Sequence, residues 1–248
     1  MTDIREEVTV MTAGAADMLA CWAEAWTRSG NEGWRVWIGD GGMPDAQRAR
    51  FQRDGFELFD MVEAESSCVG TFGKKHSTHH ALWASKVHAI AKCPTRWCFW
   101  LDHDAEVRGD ITPIVEYGLS LGKWLSAPKY ASMPAKRFPG KRVAQNGMML
   151  VDTGDSDLLN WMVWMEQYNA PNDETALPHL YGGFDAADAD IGDLYRPEWY
   201  VSCDCFHEVH QSIAQATEKV RTAKAVVRHW CAPAGKRIFK RLYAEVAA

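Results

Sequence analysis

The sequence predicts an α/β fold, with a mixed, mostly parallel sheet flanked by helices in a single domain. Three observations carry this. Strand-like and helix-like patterns alternate along the chain, the order a parallel sheet requires because each parallel pair needs a crossover connection. The run Trp97-Cys98-Phe99-Trp100-Leu101 has no polar face, as expected of a strand covered on both sides. No linker or internal repeat divides the 248 residues, a length within reach of one domain that buries its own core.

The elements follow in order. Val8 to Thr12 reads as the first strand, and Ala15 to Arg28 as a helix with Met18, Trp22, Ala25 and Trp26 on one face and Gly30 as its stop. Trp34 to Ile38 is a strand ending in Gly39-Asp40-Gly41-Gly42, Pro44 to Arg53 a short polar helix, and Phe56 to Phe59 a third strand. His79 to Ala91 is helical, with Leu82, Trp83, Val87 and Ile90 as its apolar face. After the buried run, Thr112-Pro113 supplies a cap and a first-turn proline for a helix to about Leu121. Strands follow near Trp124 to Ala127 and Asn146 to Val151, and Ser156 caps an amphipathic helix through Tyr168. Beyond it the pattern weakens, and the second half reads as irregular.

Composition excludes several classes. Apolar residues make up 47% and charged residues 24%, too much apolar content and too little bias for a disordered chain. Apolar runs are far shorter than the roughly 20 residues of a membrane span, and the N-terminus MTDIREEVTV lacks the pattern of a secretory signal. Seven cysteines without a CxxC pair read as buried free thiols in a reducing cytoplasm.

Net charge is −6, unevenly spread: Lys219 to Arg241 holds eight basic residues and no acidic one. Lys136, Arg137, Lys141 and Arg142 form a second basic cluster. Local basic patches on an acidic body suit one anionic ligand better than general nucleic-acid binding.

The apolar run ends abruptly in Asp102-His103-Asp104. Alternate residues of an extended strand point the same way, so Asp102 and Asp104 can share a ligand while His103 turns away. In open α/β sheets ligands gather outside the carboxyl ends of the strands. Two hard oxygen donors there suit Mg²⁺ or Mn²⁺ shared with substrate phosphates. The pairs Asp155/Asp157 and Asp188/Asp190 have the same spacing, but the first reads as a helix cap, and only Asp102/Asp104 ends a buried strand. Thr12, Ala13 and Asp40 end the first two strands, beside the same edge. His76, His79 and His80 precede or open a helix and read as exposed. Twelve tryptophans offer faces for sugars or bases, Trp199 and Trp230 foremost because irregular chain surrounds them.

Trp100 to Ile111, with Asp102-His103-Asp104 and then Val107-Arg108-Gly109-Asp110-Ile111, resembles the metal-binding strand end of the GT-A glycosyltransferases, which use nucleotide-sugar donors. Lys86 stands where that family often has a basic residue. Gln145-Asn146-Gly147-Met148-Met149-Leu150-Val151 is similar to the family's strand beside the donor sugar, with either Gln145 or Asn146 facing the donor. Asp188-Ala189-Asp190-Ile191-Gly192-Asp193 resembles the segment near the acceptor. Val226 to Trp230 followed by Gly235-Lys236 resembles the late segment in which a histidine completes the metal site and a lysine meets diphosphate.

The resemblance implies a GT-A, Rossmann-like single domain, with residues 1–110 or so as the nucleotide-binding half and about 111–248 as the donor-sugar and acceptor half. It implies a hexosyltransferase-like enzyme with Mn²⁺ or Mg²⁺ on Asp102, Asp104 and His229. A nucleotide-sugar donor, a UDP-sugar foremost, would lie on Thr12, Ala13, Asp40, Lys86, Asn146, Gly147, Arg228 and Lys236. Asp188 or Asp190 would contact the hydroxyl acceptor or act as base. A glycan, a protein, a small molecule and a hydroxylated base in DNA all qualify as acceptor, the last through the basic segments 136–142 and 219–241. Two other functions fit the same residues: a metal-dependent phosphoesterase and a non-catalytic nucleotide-sugar-binding module.

Overall fold

The computed structural model describes residues 3–61, 78–130, 143–167, 177–178, 180–203, 213–231 and 233–243. In chain order the elements are α1 (Ile4–Glu7), β1 (Val8–Ala13), α2 (Ala16–Arg28), β2 (Arg35–Asp40), α3 (Asp45–Arg53), β3 (Glu57–Asp60) and α4 (Thr78–Ala91). Then come β4 (Trp97–Leu101), β5 (Ala105–Val107), α5 (Thr112–Ser120), β6 (Leu125–Ala127), β7 (Lys129–Tyr130), β8 (Val143–Ala144) and β9 (Met148–Asp152). The last are α6 (Ser156–Gln167), α7 (Phe184–Asp190), β10 (Gly192–Asp193), β11 (Tyr200–Ser202), α8 (Ile213–Thr222), β12 (Val227–His229) and α9 (Pro233–Leu242).

Seven strands form the main sheet in the order β10-β6-β9-β4-β1-β2-β3. All run the same way except β9, which is antiparallel to both β4 and β6. That reversal brings the start of β9 beside the carboxyl end of β4. A second sheet, β11-β12-β5, pairs β12 antiparallel to β5, and β5 follows β4 by only a tight turn.

The alternation of strand side chains divides the core. Phe99 and Leu101 face Leu19, Trp22 and Trp26 of α2 and Ile114 and Val115 of α5. Cys98 and Trp100 face Val87 and Ile90 of α4 and Leu158 and Trp161 of α6. A third cluster, with Met18, Cys21 and Ala25 from the far side of α2 and Val201, Val220, Trp230 and Phe239, fixes the small sheet and the last two helices to the body.

The mostly parallel α/β sheet expected from the sequence is present, and β4 has the expected bounds. The structure settles two caps. Of Ser156 and the Asp155/Asp157 pair, both read as capping α6, it is Asp155 that serves, accepting from the amide of Asp157 at 2.8 Å, and Asp110 rather than Thr112 serves α5, accepting from the amide of Thr112 at 2.9 Å. An aspartate one or two residues ahead reaches the first free amide with less bending than a hydroxyl on the first turn. The stretch expected to be irregular contains α7, β10, β11 and β12. Among the described residues no helix is long and apolar enough to cross a membrane. The described cysteines, Cys21, Cys93, Cys98, Cys203 and Cys231, are all free thiols.

Candidate active site and metal centre

Beyond Leu101 the chain leaves the sheet. The Asp102 amide donates to the Gly147 carbonyl at 2.9 Å, and the Ala105 amide donates back to the Asp102 carbonyl at 2.8 Å. This tight turn, rather than strand alternation, brings the carboxylates of Asp102 and Asp104 to one place. His103 turns away, its Nδ1 3.1 Å from the Ala13 carbonyl and its ring against Gly14, where a Cβ would overlap it.

From the second sheet, β12 delivers His229. Its Nε2 lies 3.0 Å from Asp104 Oδ1 and 3.7 Å from Asp102 Oδ2. The backbone locks this approach, since the Trp230 amide donates to the Asp104 carbonyl at 2.9 Å. On its other side His229 Nδ1 is 2.7 Å from the Tyr200 hydroxyl, and that hydroxyl donates to Gln145 Oε1 at 2.8 Å.

Two ammonium groups flank the carboxylates. Lys86 Nζ, on α4, is 3.0 Å from Asp102 Oδ1 and donates to the Asn146 carbonyl at 3.2 Å. Lys236 Nζ, near the start of α9, is 3.0 Å from Asp104 Oδ2. Trp100 Nε1 donates to Asp102 Oδ1 at 2.7 Å. Burial works to raise both carboxyl pKa values, but the positive neighbours outweigh it. Lys86 and His229 hold Asp102 below the ordinary aspartate value, and His229, His103 and Lys236 hold Asp104 well below it. Burial would lower the Lys236 pKa, yet Asp104 raises it. Both carboxylates are therefore ionised and Lys236 charged at neutral pH.

One ligand atom each from Asp102, Asp104 and His229 falls within 4.8 Å of the others, and among the described residues this is the single group of that kind. Two carboxylate oxygens and an imidazole nitrogen suit Mn²⁺ or Mg²⁺, with further positions left to substrate oxygens and water. The donor set fits a divalent cation.

No protein-family profile matches the chain, and no curated protein matches it at significant similarity. Solved structures do. The galactosyltransferase LgtC, in complex with donor and acceptor sugar analogs, superposes with a TM-score of 0.61 at 17% identity, over 97% of this chain and 96% of that one. Mouse xyloside xylosyltransferase 1, in its apo form, gives 0.54 at 11% identity over 79% and 87% of the two chains. The glycosyltransferase GlyE of Streptococcus pneumoniae TIGR4 gives 0.50 at 15% identity, over 75% of this chain but 44% of its own length. The chain has the GT-A glycosyltransferase fold.

Within this GT-A fold the other expected residues divide. Thr12 and Asp40 end β1 and β2 and are buried. Among the described residues Thr12 Oγ1 has no hydrogen-bond partner, and the Ala13 carbonyl meets His103 rather than the carboxylates. Asp40 is engaged in the turn it ends, accepting from the amides of Gly42 at 3.1 Å and Met43 at 2.8 Å and pairing with Arg48. Residues 145–147 form a turn ahead of β9, not its first residues. There Gln145 Oε1 accepts from the Gly147 amide at 2.6 Å as well as from Tyr200. Among the described residues the buried side-chain amide of Asn146 has no partner on either its nitrogen or its oxygen.

The structure does not bring Arg228 to the cluster. It alternates with His229 on β12 and faces the opposite way, bonding to the Ala223 carbonyl and lying 3.9 Å from Glu106. Trp230 is fully buried and donates to Glu106 at 3.1 Å. Trp199 packs against Tyr117 with the rings tilted by 58°, and the guanidinium of Arg196 lies over both. Asp188 and Asp190 lie on α7, which packs against β8 just ahead of residue 145; Asp190 is exposed and its charge acts on Tyr181. The basic segment 136–142 and His76 lie outside the described residues. In 219–241, Arg221, Arg228, Lys236 and Lys240 pair with carboxylates of the chain itself. Sequence reading overlooked Tyr200. Its signal was the parallel register of β11 on β12, which pairs Ser202 with His229 and sets Tyr200 two residues away on the same face.

Proposed function

We propose that the chain is a glycosyltransferase that moves a sugar from a nucleotide-diphosphate sugar to a hydroxyl acceptor, using Mn²⁺ or Mg²⁺ held by Asp102, Asp104 and His229. The observation that carries this reading is the convergence of those three side chains at the carboxyl end of β4, with an ammonium on either side. Lewis-acid stabilisation of a departing diphosphate is the chemistry such a cation supplies when bound.

The protein's own groups do the rest. Asp102 and Asp104 remain ionised and so are ready as ligands without a proton to lose. Lys236, fixed near the start of α9, is a preorganised positive charge for a leaving diphosphate. Lys86 ties Asp102 to the Asn146 carbonyl and so holds the two strand ends in register. The unpartnered amide of Asn146 offers a donor and an acceptor in a buried place, as a sugar hydroxyl requires. With Gln145 committed to Gly147 and Tyr200, we assign donor-sugar contact to Asn146 and backbone approach to Gly147.

Thr12, Ala13 and Asp40 are assigned to the base and ribose, a UDP-sugar being the donor we favour. Asp188 or Asp190 is assigned to the acceptor, as contact or as base. We read the whole chain as one catalytic domain, residues to about 110 serving the nucleotide and the rest the donor sugar and acceptor, working in the cytoplasm. A sugar hydroxyl is the acceptor we favour, in keeping with the acceptor analog held by LgtC. A base in DNA draws no support from a basic segment whose Arg221, Arg228, Lys236 and Lys240 pair with the chain's own acids.

A thermal-shift screen of nucleotide sugars with Mn²⁺, Mg²⁺ or chelator tests the reading. A donor at about 100 times its Kd stabilises the folded state by roughly 2.7 kcal/mol, a rise of roughly 5–11 °C for a chain of this size. The shift should need the cation and vanish in Asp102→Asn and Asp104→Asn. No shift with any donor, together with cation-dependent cleavage of simple phosphoesters, would replace the transferase with a phosphoesterase.

A further inference from the structure

The hydrogen bonds behind His229 form a directed chain whose polarity can be deduced atom by atom. A backbone N–H can only donate, so the Gly147 amide, 2.6 Å from the side chain of Gln145, requires the carbonyl oxygen Oε1 at that position. The same Oε1 faces the Tyr200 hydroxyl at 2.8 Å, and a carbonyl oxygen can only accept. The single phenolic hydrogen is therefore committed to Gln145. Only a lone pair remains on the Tyr200 oxygen to meet His229 Nδ1 at 2.7 Å, so Nδ1 must carry a hydrogen. In a neutral imidazole the other nitrogen is then bare. That nitrogen, Nε2, is the one that faces Asp104 and Asp102. Tyr200, Gln145 and His229 are all buried, with Tyr200 at 0% exposure, so water does not compete for these bonds.

We propose that Tyr200 and Gln145 are positioning residues that fix the tautomer and ring orientation of His229, presenting the Nε2 lone pair to a divalent cation between it and the two aspartates. This rests on the metal reading above and adds two residues to it, neither of which touches the cation. A bare nitrogen facing two carboxylates is repulsive unless a positive centre lies between them. In the cation-free protein a second hydrogen, on Nε2, can supply that centre; the relay excludes only a neutral histidine that donates to Asp104, and a divalent cation takes that hydrogen's place. Outer hydrogen bonds of this kind are generally worth 10–100-fold in metal affinity.

The test measures binding and proton position rather than turnover. Mn²⁺ affinity is determined by calorimetry on wild type and Tyr200→Phe, the latter lacking one oxygen, with circular dichroism to check the fold. In parallel, imidazole ¹⁵N shifts are recorded for Mg²⁺-loaded, ¹⁵N-histidine wild type, assigned with His229→Gln. The proposal expects the hydrogen on Nδ1 in wild type, and Mn²⁺ affinity lower by about 10–100-fold in Tyr200→Phe. Equal affinity in the two proteins overturns it while leaving the metal site standing; a hydrogen on Nε2 overturns it and removes His229 from the ligands as well. A wild type that takes up no Mn²⁺ overturns the metal reading and the relay together. Where Tyr200→Phe does not fold, Gln145→Leu, which releases the phenolic hydrogen from residue 145, takes its place in the calorimetry, and unchanged Mn²⁺ affinity in that variant overturns the proposal.

Discussion

Gly147 and His229 are in direct contact: a Cβ on residue 147 would overlap Cε1 and Nδ1 of the imidazole and come within 2.8 Å of Gln145 Oε1. The same residue donates its amide to Gln145 and lends its carbonyl to the Asp102 amide. Backbone on one side and Tyr200 on the other leave the ring no room to retreat. Gly147→Ala should therefore force the ring out of place and lose Mn²⁺ affinity by about 10–100-fold, the range for disturbed ligand orientation. Calorimetry checks this, and unchanged affinity would show that the ring has slack.

Asp104→Asn should lower turnover by about 10³-fold, several kcal/mol of lost charge stabilisation. Its effect on stability depends on pH. The folded-state pKa of Asp104 lies well below the ordinary 3.8, burial notwithstanding, because His229 and Lys236 favour the anion. A depressed carboxyl pKa stabilises the fold fully above the unfolded value and is lost as pH falls through the folded one. Cation-free wild type should thus lose stability below about pH 4 more steeply than Asp104→Asn, by urea unfolding at a series of pH values. Parallel curves would contradict the assignment.

Glu106 holds the small sheet from within. It accepts from Trp230 Nε1 at 3.1 Å and Tyr243 Oη at 2.9 Å, with Arg108 at 3.7 Å and Arg228 at 3.9 Å. Removing one partner of a buried charged network strands the others. Glu106→Ala should cost about 3 kcal/mol, measured by urea unfolding, and Glu106→Gln much less because the amide oxygen still accepts.

Cys93 has the pKa of a reactive thiol. A hydrogen bond from Cys98 outweighs burial, and Thr95 adds to it, bringing the pKa down to about 6. Burial raises Cys21 and Cys98. Iodoacetamide at pH 7 should label Cys93 before either, with a rate that falls as pH is lowered through about 6. Peptide mass mapping reads the order, and labelling of Cys21 first would contradict it.

The part of the site on β4 was legible because five consecutive apolar residues leave a strand no polar face and make the following aspartates conspicuous. The rest was obscure for physical reasons. Strands β5, β11 and β12 have three residues each, too few to establish a period of two. Had β12 been visible, alternation alone would have sent Arg228 and His229 to opposite faces. Gln145 and Asn146 could not be separated while they were read as strand. In the turn they adopt, one amide is consumed by Gly147 and Tyr200 and the other stays open. Asp110 took the capping role assigned to Thr112, and of the two readings of the α6 cap the Asp155 one holds, each choice settled by which oxygen reaches a free amide.

Asp104 and His229 meet across 125 positions of sequence, and that separation bears on how the protein is made. Every strand of the seven-stranded sheet lies between Val8 and Asp193, so the sheet can be complete on a nascent chain that has not yet gained its histidine. Such a chain displays two paired carboxylates with Lys86, but neither His229 nor Lys236. The three-residue cluster and its second ammonium therefore exist only once Lys236 has been made: synthesis itself sets the moment at which the site comes into being.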